Sequence, residues 1–139
     1  MEDIVKFVGP QYGQNKIQTL DSAECFILPS KGENFGISVI ESLARGVPVI
    51  TTKDTPWERL NEIECGWCID RTISEFSITL SEVISLDKSK LVEMGIAGHK
   101  LIEREFSWSN ITNQSNNLYK WVLNEYREEY NKGFNLYNH

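Results

Sequence analysis

No run of about 18 apolar residues occurs anywhere in this 139-residue sequence, so it offers no membrane-spanning helix. Basic residues are few. Fourteen Lys and Arg stand against 20 Asp and Glu, giving a net charge of −6, and they are scattered rather than clustered, which argues against nucleic acid as a partner. The first residues lack the charged, apolar and cleavage regions of a secretory signal, so a cytoplasmic location is expected. Cysteine is limited to three residues and histidine to two. A disulfide framework is therefore excluded, and Cys25, His99 and His139 have no recognisable metal-ligand spacing. Neither an internal repeat nor a low-complexity linker divides the chain, and its length suits one compact unit with a real core.

What the sequence does contain is concentrated between Cys25 and Thr52, reading CFILPSKGENFGISVIESLARGVPVITT. Cys25 to Leu28 is too short for a helix and stops at Pro29, so it reads as a buried strand. Ser30 to Asn34 is a polar connection. From about Gly36, Ile37, Ile40 and Ala44 recur at helical spacing, and the helix should end near Gly46 with Pro48 beyond. Val47 to Thr52 is a second β-branched run. Strand, helix and strand in this order make parallel sheet, so an α/β, Rossmann-like fold is expected.

Parallel strands deliver their carboxyl ends and the following helix amino ends to one sheet edge, where ligands bind. The backbone N–H groups around Gly36, Ile37 and Ser38 lack intrahelical partners and lie at the positive end of the helix dipole, which suits a phosphate or pyrophosphate. Glu41 lies one turn after Ile37, and helical side chains lean toward the amino end, so its carboxylate can reach back toward such a ligand. There it would accept hydrogen bonds from two vicinal sugar hydroxyls. Glu33, in the preceding loop, could do the same for a second sugar beyond the phosphates.

ENFGISVIE, with Glu33 and Glu41 at its ends, is similar to the E-x7-E signature of retaining glycosyltransferases of the GT-B fold, especially glycosyltransferase family 4. The likeness extends through PSKGENFGISVIESLARGVPVITT, includes the strand-like Val5 to Gly9, and continues to Cys65-Gly66-Trp67 and Glu105-Phe106-Ser107-Trp108. Roughly Val5 to Leu123 is covered. The resemblance implies that Glu33 is the catalytic-site acid contacting the transferred sugar near its anomeric end. It implies that Glu41 binds the donor ribose, that Gly36 and Ile37 hold the pyrophosphate, and that Phe35 shapes the loop. Asn34 departs from the glycine many members carry. The resemblance further implies no metal and no cofactor beyond a nucleotide diphosphate sugar of UDP, GDP or ADP type.

A diphosphate brings about two negative charges beside Glu33 and Glu41, so a basic partner is required. In the family it comes from an earlier segment of the same domain. Here only Lys31, Arg45 and Lys53 are near in sequence, and none matches the family's basic positions. Residues 1–130 are thus expected to be an N-terminally incomplete donor domain, part of the C-terminal domain of a GT-B fold. A glycan or lipid-linked acceptor would be held by a missing N-terminal domain or a partner chain, with peripheral membrane attachment through that part. Two other readings stand beside it. One is a non-catalytic subunit with an open sheet edge and self-association; the other is a general α/β module for a phosphorylated ligand.

Elsewhere, Ile4 to Val8 reads as a strand, Lys16 to Ala23 as a helix with Ile17 and Leu20 inward, and Trp67 to Ile69 as a strand. Ile73 to Leu86 should be a helix burying Phe76, Leu80, Val83 and Ile84, followed by helices over Ser89 to Arg104 and Ser109 to Tyr130. The last carries Ile111, Leu118, Trp121, Val122 and Tyr126, and residues 131–139 read as a frayed tail. Thr55-Pro56-Trp57 either contacts the donor through Thr55 or is a rigid loop with Trp57 packed over the sheet edge. Cys65 and Cys68 run into a strand rather than opening a helix, so with Cys25 they read as reduced, partly buried thiols, not a redox pair. His99 reads as a surface residue. The acceptor sequons at Asn110 and Asn113 are idle in an intracellular chain.

Overall fold

β2, Val49–Thr52, is buried at all four positions and lies between two parallel neighbours. β1, Phe26–Leu28, pairs Phe26 with Val49 and Leu28 with Thr51; β3, Gly66–Ile69, pairs Gly66 with Val49 and Thr52 with Ile69. The order β1-β2-β3 with helices in the crossovers is the expected α/β, Rossmann-like parallel arrangement. Gly66 is required by the register itself. A Cβ there would stand 2.2 Å from the Val49 carbonyl oxygen.

The computed structural model describes residues 4–134, with side chains to residue 127. It divides into two compact units, one ending at Glu103 and one beginning at Arg104. The first unit runs α1 (Gly13–Asp21), β1, α2 (Ile37–Ala44), β2, α3 (Arg59–Glu62), β3, α4 (Ile73–Ser85) and α5 (Lys88–Phe106), the division falling within α5. Its core gathers Val39, Leu43, Val49, Ile50, Leu60 and Leu101. Gly46 ends α2 with φ +72°, and Gly95 of α5 packs so closely that an added Cβ would meet the Gly46 carbonyl oxygen at 2.1 Å. His99 is exposed, and its Nδ1–H donates to the Ala44 carbonyl at 2.8 Å, satisfying one of α2's terminal acceptors.

In the second unit, α6 (Trp108–Phe134) follows the break at Ser107. Ser107 Oγ accepts from the Asn110 N–H at 3.3 Å, while Asn110 Nδ2 donates to the carbonyls of Arg104 and Glu105. The Phe-Ser-Trp element is therefore a double cap. Leu118, Trp121, Val122 and Tyr126 of α6 are exposed. The helix takes in residues 131–134 of the expected tail, and the remainder lies outside the described residues.

Several sequence expectations are corrected. Ile4 to Val8 forms no strand: a strand exists through its ladder, this segment pairs with none of the described strands, and Phe7 is 96% exposed. β1 is less buried than its apolar run suggested, because it is an edge strand with one neighbour and Ile27 stays open. The inward face of α2 carries Val39, Ser42 and Leu43, leaving Ile37 65% exposed; both sets satisfy the helical period, and packing on β2 selects the second. Ile84 lies at 83% exposure beside buried Val83, since α4 covers the sheet with Phe76, Leu80 and Val83. α1 begins three residues earlier than expected, with Ile17 and Leu20 half-buried as expected.

Candidate functional site

Three loops leave the carboxyl edge of the sheet, and side chains at the strand ends tie them together. Thr51 Oγ1 donates to the Leu28 carbonyl at 3.1 Å and Thr52 Oγ1 to the Ser30 carbonyl at 2.6 Å, joining the ends of β1 and β2. Lys53 pairs with Asp70 at 3.1 Å and Arg71 with Asp54 at 2.9 Å, joining the loops after β2 and β3. Asp70 beside Lys53 raises the lysine above its usual pKa, mainly through their hydrogen bond.

The loop after β1 ends at α2, and Gly36 sits at the junction with φ +71°, a conformation that disfavours any side chain. Trp57, 5% exposed, reaches across from the loop after β2, and its indole N–H donates to the Phe35 carbonyl at 2.8 Å. Gly36 is needed twice over. A Cβ there would stand 2.9 Å from Trp57 Nε1. With Gly36 as the N-cap, no side chain caps α2, so its first amides face outward.

Those amides open onto a concavity of about 590 Å³ lined by Gly32, Glu33, Asn34, Phe35, Gly36, Ile37 and Ser38. Five expected site residues, Glu33, Phe35, Gly36, Ile37 and Ser38, are thus brought together. Glu33 is held by Ser30, whose single hydroxyl proton is shared between Glu33 Oε1 and the Gly32 carbonyl, each at 3.0 Å. Glu41 lies one turn along α2, outside the lining, with Oε1 2.5 Å from Lys16 Nζ of α1. Thr55 lies behind the site. It is 5% exposed, and its hydroxyl donates to the Thr52 carbonyl at 2.8 Å beside Thr51 Oγ1 at 3.3 Å. The loop it belongs to is a packed brace, with Trp57 over the sheet edge.

Of the cations near in sequence, Arg45 forks onto Asp21, holding that carboxyl below its usual range through their hydrogen bond, Lys53 is with Asp70, and Lys31 is exposed on the loop after β1. Sequence reasoning offered the rigid Trp57 loop as one of two alternatives but missed Lys16, Ser30 and the Trp57 bond to the Phe35 carbonyl. Lys16 gave no local signal because it is 25 residues from its partner. No group of three or more His, Cys, Asp or Glu side chains among the described residues is arranged to hold a metal. The three cysteines are free, and burial pushes the thiols of Cys25 and Cys65 up to about 11 and raises Cys68. No helix among the described residues is long and apolar enough to cross a membrane.

Known proteins share this architecture. The family model described as glycosyl transferases group 1 matches residues 1–100. The O-antigen biosynthesis glycosyltransferase WclY of Escherichia coli is 28% identical over 106 residues, covering 76% of this chain and 29% of that protein. A GDP-mannose-dependent monoacylated alpha-(1-6)-phosphatidylinositol monomannoside mannosyltransferase of Corynebacterium glutamicum is 30% identical over 126 residues, 82% of this chain and 32% of its own. Among solved structures, the sucrose-phosphate synthase of Thermosynechococcus elongatus superposes with a TM-score of 0.72 at 25% identity, covering 88% of this chain and 31% of that one. The chain spans about a third of the length of these relatives.

Proposed function

Because the chain belongs to the glycosyl transferases group 1 family, we propose that it forms the nucleotide-sugar donor site of a retaining GT-B glycosyltransferase of family 4. In this reading the outward amides of Gly36, Ile37 and Ser38 hold the donor diphosphate. Glu41 accepts hydrogen bonds from the ribose hydroxyls, and Glu33 does so from the transferred sugar. The bond from the anomeric carbon to the diphosphate oxygen breaks, a bond from the acceptor oxygen forms on the same face, and the acceptor's proton passes to the leaving diphosphate. Preorganised amides at the helix end stabilise the charge that develops on that leaving group. The acceptor, a glycan or a lipid-linked glycan, is held by a further domain or partner chain. Thr55 serves by packing the brace rather than by hydroxyl contact.

The observation that carries this reading is the open concavity at the amino end of α2, where left-handed Gly36 and the Ser30-held Glu33 share one surface. The name of the Corynebacterium relative makes GDP-mannose the first donor to test. Calorimetric titration with GDP-mannose, then UDP- and ADP-sugars, should show binding that Glu41→Ala weakens by roughly ten- to a hundredfold, the range for a hydrogen bond to a charged group. Glu33→Gln should weaken the nucleotide sugar but not the bare nucleoside diphosphate. Donor binding that ignores both substitutions refutes the assignment. A second reading, a subunit completed by another chain, is favoured by the edge position of β1 and exposed Phe7. Light scattering tests it, and a clean monomer counts against self-association.

A further inference from the structure

Two ion pairs of opposite polarity join α1 to α2. Asp21 receives Arg45 through both oxygens, Nε at 2.5 Å and Nη2 at 2.7 Å, and Lys16 Nζ meets Glu41 Oε1 at 2.5 Å. The partners advance together, 16 with 41 and 21 with 45, so the two helices run in the same sense. A bidentate Asp–Arg fork supplies geometric register by itself. The second pair is built differently. It engages one oxygen of Glu41, and its side chains retain 40% and 34% of their exposure, so the carboxylate remains accessible to a ligand.

Glu41 without Lys16 would be a long side chain with several rotamers and an unopposed charge beside a diphosphate. With Lys16 on Oε1, the carboxylate plane is anchored and Oε2 remains an acceptor. We infer that Lys16 is a positioning residue: it presents Glu41 to the vicinal hydroxyls of a nucleoside diphosphate and places a positive charge against that carboxylate. This rests on the donor-binding reading above. The nearby Arg45 and Lys53 are committed to Asp21 and Asp70, Lys31 lies on the exposed loop before Glu33, and Lys16 is the cation that stands directly on the Glu41 carboxylate.

The prediction concerns the ribose, not affinity in general. Titrations of the 139-residue chain with GDP, UDP and ADP, each against its 2′-deoxy counterpart, measure how far the hydroxyl contributes. Wild type should prefer the ribonucleotide by roughly ten- to a hundredfold, consistent with one charge-assisted hydrogen bond. Lys16→Met should reduce that preference toward unity, as Glu41→Ala does, whereas Lys16→Arg should retain most of it. The exchanged pair, K16E with E41K, restores a bridge between the helices but has no acceptor at residue 41, so it should recover thermal stability without ribose preference. Preference lost in Glu41→Ala but kept in Lys16→Met overturns this inference alone, as does recovery of preference in the exchanged pair. Equal binding of ribo and deoxy ligands by wild type, or no binding, overturns the Glu41 assignment and this inference with it.

Discussion

Gly36→Ala isolates the junction on which the candidate site is built. Gly36 has φ +71°, where a Cβ costs about 1–2 kcal/mol. The same Cβ would also lie 2.9 Å from Trp57 Nε1, an atom that cannot yield cheaply because the indole is buried and bonded to the Phe35 carbonyl at 2.8 Å. Breaking that bond leaves a buried donor unsatisfied, worth about 1–3 kcal/mol more. The substitution should therefore cost about 2–5 kcal/mol, a large part of a typical domain's stability of roughly 5–15 kcal/mol. Gly46→Ala is the control. It has φ +72°, but its nearest contact would be an ordinary 3.8 Å, so it should cost the backbone contribution alone, about 1–2 kcal/mol.

Urea unfolding followed by circular dichroism in the far ultraviolet measures both. With a slope of about 1.5 kcal/mol/M, the midpoint should fall by roughly 1.5–3 M for Gly36→Ala and by about 1 M for Gly46→Ala. In a Trp57→Leu background no atom occupies the Nε1 position, so Gly36→Ala should there cost no more than Gly46→Ala, a non-additivity diagnostic of direct contact. Equal midpoints for the two alanine variants in wild-type background, or a full Gly36→Ala cost persisting once the indole is gone, would refute the brace.

Two further outcomes follow from side chains away from the concavity. Asn61 bonds both the Cys68 N–H, at 2.9 Å, and the Cys68 carbonyl, at 3.0 Å, acting as a substitute neighbour on the outer edge of β3, so Asn61→Asp, which keeps the acceptor but opposes a carboxylate to that carbonyl, should lose about 1–3 kcal/mol in the same urea assay; a neutral result refutes the pairing. Burial pushes the Cys25 and Cys65 thiols from 9.0 to about 11, so the unfolded chain sheds these protons first and stability should decline as pH rises from about 9 toward 11, more shallowly in Cys65→Ala, whereas parallel pH profiles would contradict it.

The β-branched run of β2, the glycine and proline ending α2, and the alternation of short strands with helices were readable because each is a local pattern acting on its own backbone. Where several local solutions were equally good, packing decided. The α2 sequence permits an inward face through Ile37 or through Val39, and packing on β2 selects Val39. Likewise Ile4 to Val8 has strand composition, but composition cannot supply the neighbour that a ladder requires. The exposed apolar residues of α6 pose the same problem, since a helical period says which residues share a face without saying what that face meets.

The candidate site divides along the same line, and the division has a regular spacing. Glu33, Gly36 and Glu41 lie within one loop and one helix, so their chemistry could be read from adjacency. Their supports come from one crossover away: Lys16 is 25 residues from Glu41, Trp57 is 22 from Phe35, and Thr52 is 22 from Ser30. This distance is set by the fold, because each parallel strand returns to the same sheet edge after a loop, a helix and a second loop. Groups that meet at that edge are therefore separated by about one such unit. In a parallel α/β chain, the side chains that brace a loop and the helix it leads into are best sought one crossover before and after them, where Lys16 and Trp57 stand here.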